Sequence, residues 1–154
     1  EYIARAQGLL RLLTLAPELK DADALINLAH AHGVVVAAGH TGATSEEIAR
    51  AASMGVLHAT HFYNAMSPLH HRAPGAVGAI LANAHFTAEL ICDGIHVHPT
   101  AVKVLVQNKG IHGVALITDS IRAAGLADGR YAMADGDIIV SVGSARLADG
   151  TLAG

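Results

Sequence analysis

Three apolar runs of the chain end on side chains that can bind a metal or move a proton. They are Val34-Val35-Val36-Ala37-Ala38-Gly39-His40, Val56-Leu57-His58-Ala59-Thr60-His61 and Val114-Ala115-Leu116-Ile117-Thr118-Asp119. Each follows a helix-like segment and a glycine: Gly33, Gly55 and Gly113. In a parallel β/α protein this spacing puts two imidazoles and a carboxylate at the carboxyl ends of strands, where such folds build their sites. Neutral imidazoles on rigid strand ends suit zinc and similar divalent ions, but a catalytic zinc takes three protein ligands and spacing reveals two. A hydrogen-bonded core histidine is the other reading of each. Asp119 closes a wholly apolar run, where an unpaired carboxylate is costly to bury. It is either a general base beside a metal-activated water or the N-cap of whatever follows Thr118-Asp119-Ser120.

Two loops add polar groups. In His61-Phe62-Tyr63-Asn64-Ala65-Met66-Ser67-Pro68-Leu69-His70-His71-Arg72-Ala73-Pro74-Gly75, Asn64 offers a donor and an acceptor, and Arg72 offers a guanidinium fork suited to phosphate or carboxylate. A solvated loop arginine is the plainer alternative, and His70 and His71 are read as loop residues. In Asp93-Gly94-Ile95-His96-Val97-His98-Pro99, one histidine can face a cleft while the other supports the next helix. His30, His32, His58, His85 and His112 are read as structural or solvent-exposed.

The elements that position these groups alternate between helix and strand. Residues 1–10 read as helix and Leu12–Ala16 as a strand closed by Pro17. Asp21–His32 carries Leu25, Ile26, Leu28 and Ala29 at helical spacing. Thr44-Ser45-Glu46-Glu47 forms a capping box for a helix that runs to about Met54. Gly75–Ala82 reads as a short helix, Thr87–Cys92 as a strand, and Pro99 opens a helix to Lys109. Beyond Ala124 the turn pairs Asp128-Gly129, Asp135-Gly136 and Asp149-Gly150 flank a β run, Ile138–Val142, which predicts a hairpin-bearing excursion over about residues 128–150 within one domain, 1–154. Five strands are too few for a complete eight-stranded barrel, which needs about 200 residues or more. The chain is therefore an open α/β sheet or a portion of a barrel.

Composition narrows the functions. Hydrophobic residues make up 52% of the 154, charged residues 15% and aromatics 3%, which predicts an aliphatic core with strands buried on both faces. The net charge is −3 and no long basic run occurs, so nucleic acid is not an expected partner. No apolar stretch reaches the ~18 residues of a membrane span, and no secretory signal pattern opens the chain. No membrane partner and a cytoplasmic location are expected. The single cysteine, Cys92, is read as an inert buried thiol.

The motifs taken together resemble the N-acetylglucosamine-6-phosphate deacetylase family of the amidohydrolase superfamily. The match rests on Thr14-Leu15-Ala16-Pro17-Glu18, Ala38-Gly39-His40-Thr41, His58-Ala59-Thr60-His61 with Asn64-Ala65-Met66-Ser67-Pro68-Leu69-His70-His71-Arg72, Asp93-Gly94-Ile95-His96-Val97-His98-Pro99, Thr118-Asp119 and Leu147-Ala148-Asp149-Gly150-Thr151-Leu152-Ala153-Gly154. The resemblance implies the C-terminal part of a metal-dependent hydrolase of the (β/α)8 TIM-like type, hence an α/β partial barrel. It implies deacetylation of N-acetylglucosamine 6-phosphate to glucosamine 6-phosphate and acetate. By the same resemblance His40 and His61 are metal ligands, and Asp119 is the acid/base that works on a metal-activated water. Asn64, Ala65, Arg72, His96, Leu152, Ala153 and Gly154 are then substrate contacts, with Arg72 on the sugar phosphate. The implied cofactor is a divalent ion, zinc first, with iron, cobalt and manganese also suited to such donors. The partners implied are a small amino-sugar phosphate and, in the complete protein, a second copy in a homodimer.

The family takes its third metal ligand from a glutamate in a His-x-Glu-Gly-Pro motif, and a carbonyl-polarising histidine from the same region; neither motif occurs here. The 154 residues alone are thus expected to lack full activity. Two other readings stand beside this one: an amidohydrolase for another N-acetyl-amino sugar or a cyclic amide, and a non-catalytic α/β fragment.

Overall fold

The structure, a computed structural model, describes residues 2–132 and 136–153. After a short helix α1 (Tyr2–Arg5), strands and helices alternate: β1 (Leu12–Leu15), α2 (Ala22–Ala31), β2 (Val35–Ala38), α3 (Ser45–Ser53), β3 (His58–Ala59), α4 (Gly75–Ala82), β4 (Thr87–Ile91), α5 (Pro99–Lys109) and β5 (Val114–Ile117). The helix expected over residues 1–10 is limited to α1. The chain then turns at Gln7 and Gly8, both with positive φ, which a continuing helix does not accommodate.

The five strands are parallel and lie in the order β1-β2-β3-β4-β5, each beside its sequence neighbour. An open doubly wound sheet reverses its order at a switch point; this one never does. Sequential order with right-handed crossovers stacks every helix on one side, and one core cluster accordingly joins Ile26, Ile48, Ile80 and Leu105, one from each of α2 to α5, to Val36, Ala59 and Leu90 of the strands. The sheet is an arc of a β/α barrel.

Register fixes what the opposite, inner face carries. Thr14 pairs with Ala37, Ala37 with His58, and His58 with Thr87. Side chains two residues apart share a face, so Thr14, His58 and Glu89 line the inside of the arc. Thr14 and Thr60 hydrogen-bond there at 2.8 Å, and the His58 ring meets the Glu89 carboxylate at 2.9 Å. Burial on both faces does not hold throughout the arc: Val35 on the inner face is 52% exposed and Leu116 on the outer face 74%. Both lie on strands where this chain brings no second layer over that position.

Local chemistry explains the helix ends. Thr44 and Glu47 complete the predicted capping box on α3. The Lys109 ammonium of α5 donates to the carbonyls of Ile80 and Asn83 at the end of α4, and burial holds its pKa down. Cys92, expected inside, is exposed, because β4 ends at Ile91 and the chain turns outward. Beyond β5 a second sheet forms from β6 (Gly129–Tyr131), β7 (Ile138–Ser141) and β8 (Ser144–Leu147), antiparallel in that order. It has one strand more than a simple hairpin. The predicted turn at Asp135-Gly136 begins outside the described residues. No helix among the described residues is long and apolar enough to cross a membrane.

Candidate active site

The carboxyl ends of β2, β3 and β5 lead into His40, His61 and Asp119, and each of these takes a left-handed backbone, with φ of 48°, 32° and 49°. Tyr63 and Ala65, in the loop after His61, do the same at 79° and 49°. Such conformations cost a non-glycine residue roughly 1–3 kcal/mol and persist only where surroundings enforce them. The strain serves geometry: the chain turns sharply at the top of each strand, and the side chain is left facing the space above the arc.

That space is a cavity of about 420 Å³ bounded by His40, His61, Asn64, Ala65, His96 and Asp119. Its apolar side comes from Ile91, Ile121, Leu152 and Ala153. Most of the sequence-predicted site residues are therefore brought together, from four strand ends and the segment after β8. Gly154 lies outside the described residues. Arg72 stands apart: it lines a second cavity of about 440 Å³ with Thr44, Ser67 and His70. The two cavities flank one loop, which a bridge between Thr41 and Met66 ties to the end of β2. The Arg72 guanidinium lies 2.6 Å from the His71 ring and meets no carboxylate among the described residues.

At the floor of the first cavity, the Nε2 atoms of His40 and His61 face each other at 2.8 Å, with the rings nearly perpendicular. Two neutral imidazoles tolerate that approach when one donates its proton to the other. His61 is 5% exposed and its Nδ1 is buried without a partner. The nitrogen donors and their convergence fit a divalent ion. Among the described residues no group of three or more His, Cys, Asp or Glu side chains could hold one.

His96 approaches from the loop after β4. The segment is not extended: Asp93 accepts hydrogen bonds from the Ile95 and His96 amides at 2.8 and 2.9 Å, closing a tight turn. Its second oxygen holds the His96 Nδ1 at 2.7 Å, which fixes the ring and leaves a buried, unpartnered Nε2. Partial burial alone would raise the Asp93 pKa, but these hydrogen bonds outweigh it and hold the carboxyl at about 2. His98 takes the other role expected for the pair, as N-cap of α5 accepting from the Thr100 amide. Asp119 is not an N-cap, since no helix follows it among the described residues.

Three carboxylates near the site were not singled out from spacing: Glu18, Glu89 and Asp93. The signal for Glu89 is the one that marks Asp119, a charge inside an apolar strand. Glu18 sits in a loop and carries no such mark.

Residues 16–153 match the amidohydrolase family. The chain belongs to that family. It is 47% identical over 149 residues to an N-acetylglucosamine-6-phosphate deacetylase from Bacillus subtilis, covering 97% of this chain and 38% of the relative. It is 40% identical to an N-acetylgalactosamine-6-phosphate deacetylase from Escherichia coli O157:H7, covering 100% of this chain and 41% of the relative. Among solved structures, an aspartate-to-alanine variant of the N-acetyl-D-glucosamine-6-phosphate deacetylase from Mycobacterium smegmatis, in complex with N-acetyl-D-glucosamine-6-phosphate, superimposes with a TM-score of 0.94 at 38% identity, over 99% of this chain and 40% of that one. The deacetylase from Thermotoga maritima gives 0.90 at 43% identity, over 94% and 40%. The chain thus spans about two fifths of the length of these relatives, and its arc is part of the barrel they share.

Proposed function

We propose that this chain supplies the metal-binding histidines and the proton-transfer group of an enzyme that removes acetate from N-acetylglucosamine 6-phosphate. The observation that carries the reading is the convergence of His40, His61, His96 and Asp119 on one cavity at the strand ends, in an amidohydrolase whose relatives bear that activity in their names. His40 and His61 would hold the divalent ion through their facing Nε2 atoms. When bound, such an ion polarises the amide carbonyl and lowers the pKa of water. Asp119 takes the proton of the attacking water and returns it to the amine nitrogen as the C–N bond breaks, leaving acetate and glucosamine 6-phosphate. The unpartnered Nε2 of His96 and the amide of Asn64 orient the sugar, with the Ala65 backbone beside them. Leu152 and Ala153 close over it, and Arg72, in the neighbouring cavity across the loop, is the guanidinium fork for a 6-phosphate that extends to that side.

Zinc is the first choice of ion, with iron, cobalt and manganese next, and elemental analysis of the full-length protein as purified tests that order. A homodimer and a cytoplasmic location belong to the same proposal; sedimentation velocity tests the first and fractionation the second.

The functional test is acetate release by the full-length protein. Asp119→Asn is expected to lower kcat by about 10²–10⁴-fold, the usual worth of general acid–base catalysis. Parental turnover in that variant would remove Asp119 from the chemistry. A second reading is favoured by the relatives themselves, since deacetylases for the glucosamine and galactosamine epimers both resemble the chain. Comparing kcat/KM for the two 6-phosphates decides between them. Arg72→Ala should weaken both phosphorylated sugars far more than N-acetylglucosamine, and equal losses would detach Arg72 from the phosphate.

A further inference from the structure

Each of the two histidine-bearing turns is gripped from behind by a carboxylate on, or just beyond, the neighbouring strand. At the top of β2 the carboxylate is Glu18, three residues beyond β1. It accepts from the Thr41 hydroxyl at 2.5 Å and from the Gly42 amide at 2.7 Å. Thr41 is 2% exposed and distributes that hold. Its hydroxyl accepts from the Ala43 amide, its own amide donates to the Ala65 carbonyl, and its carbonyl accepts from the Ser67 amide. One carboxylate thus ties the His40 turn to the Asn64–Ala65 loop.

At the top of β3 the carboxylate is Glu89 of β4. One oxygen accepts from the His61 amide at 3.3 Å and the other meets the His58 ring at 2.9 Å, while the Glu89 carbonyl accepts from the Phe62 amide at 2.8 Å. Neither Glu18 nor Glu89 lines the cavity. Glu89 acts on the amide of His61 itself and Glu18 on the Thr41 hydroxyl and Gly42 amide, one and two residues past His40; without these holds the left-handed turns would relax to another φ and swing the imidazoles away.

We propose that Glu18 and Glu89 are positioning residues, each holding the strained turn that aims one imidazole, so that the two Nε2 atoms meet. The proposal rests on reading His40 and His61 as metal ligands. A carboxylate suits the task because it accepts several hydrogen bonds at once, and charge-assisted bonds to amides and hydroxyls are shorter and stronger than neutral ones. His58 of β3, three residues before His61, gives Glu89 its second anchor and keeps it turned toward the His61 amide.

The test is the Zn²⁺ affinity of the metal-free full-length protein, read by competition with a chromophoric chelator. His40→Ala and His61→Ala come first: parental affinity in both would sink the ligand reading itself, separately from the positioning roles. Glu18→Met and Glu89→Met keep side-chain volume and remove the acceptors, and each should weaken Zn²⁺ binding by about 10–100-fold, as loss of groups that orient ligands does. Glu18→Gln and Glu89→Gln keep shape and one acceptor oxygen, and should lose only about threefold, a partial rescue that bulk packing would not predict. Affinity within about twofold of the parent in a folded methionine variant overturns the role of that carboxylate. Where a methionine variant does not fold, its glutamine counterpart decides, and parental affinity there overturns the role.

Discussion

In the parallel arc the core is one continuous cluster from Ile26 to Leu105, with Phe62 and Phe86 its largest buried side chains, packed under α2 to α5. At the antiparallel sheet the buried cluster consists of Ile138 and Val140 of β7 with Ala123 from the segment before β6, and Ile139 and the turn residue Val142 face solvent. The two regions serve the same cavity with different materials. The arc contributes polar groups on strained strand ends, where a dense core is needed to enforce unfavourable backbone. The small sheet contributes apolar cover: Thr151 and Ala153 bond back to Leu147 and Ala145 of β8, which brings Leu152 over the cavity. Groups that must be aimed sit on the deep core, and groups that need only exclude water sit on the shallow one.

That contrast can be broken by measurement. Phe86→Ala, in the arc, should cost about 3–5 kcal/mol in urea unfolding, whereas Ile138→Ala in the small sheet should fall near ~2 kcal/mol, the low end for such truncations, because its surroundings can collapse. Equal losses would mean that the two cores are one. Gly39→Ala should cost about 1–3 kcal/mol as overpacking: its new methyl would meet the Thr14 side chain at 2.7 Å and Thr60 at 3.0 Å, directly below His40. Thr44→Ala removes the α3 cap and should cost about 1 kcal/mol, without changing Zn²⁺ affinity, since the cap does not touch the His40 turn.

The smallest expected effect concerns pH. The Asp93 carboxyl is held at about 2 in the fold, below the ordinary value near 4 of an unfolded chain. A depressed folded pKa contributes stability that is fully present above the unfolded value and is lost as pH falls from about 4 to about 2. Unfolding of Asp93→Asn followed over that range should lack this loss, and an identical acid profile would remove Asp93 from the account. The Asp93 side chain is 36% exposed, so solvent screening keeps the contribution small.

Much of the arc was legible because periodicity and glycine punctuation are local signals. The capping box at Thr44, Pro99 at the head of α5, and the runs that lead into His40, His61 and Asp119 all follow from neighbours in sequence, although the strands themselves stop two residues short, at Ala38, Ala59 and Ile117. What escaped depends on distant partners. Glu18 reaches Thr41 across a crossover helix, and Glu89 reaches His61 from the next strand, so neither role leaves a trace in spacing. Arg72 sits close to Asn64 in sequence yet on the other side of its loop, because the bridge at Met66 divides the segment. Cys92 is exposed although it closes an apolar run, since the strand stops one residue earlier. A single-residue boundary reverses the burial of a side chain at a strand end.

The left-handed residues at the three strand ends also bear on heat tolerance and on the room left for mutation. Glycine adopts that backbone without steric cost, so a chain selected for endurance alone would carry glycine in place of His40, His61 and Asp119. Keeping two imidazoles and a carboxylate there leaves the protein below the stability its fold could reach. The shortfall is taken from the margin that would otherwise absorb damaging substitutions elsewhere. Changes that deepen the core behind β2 and β3 should therefore widen the range of sequences this site can survive in.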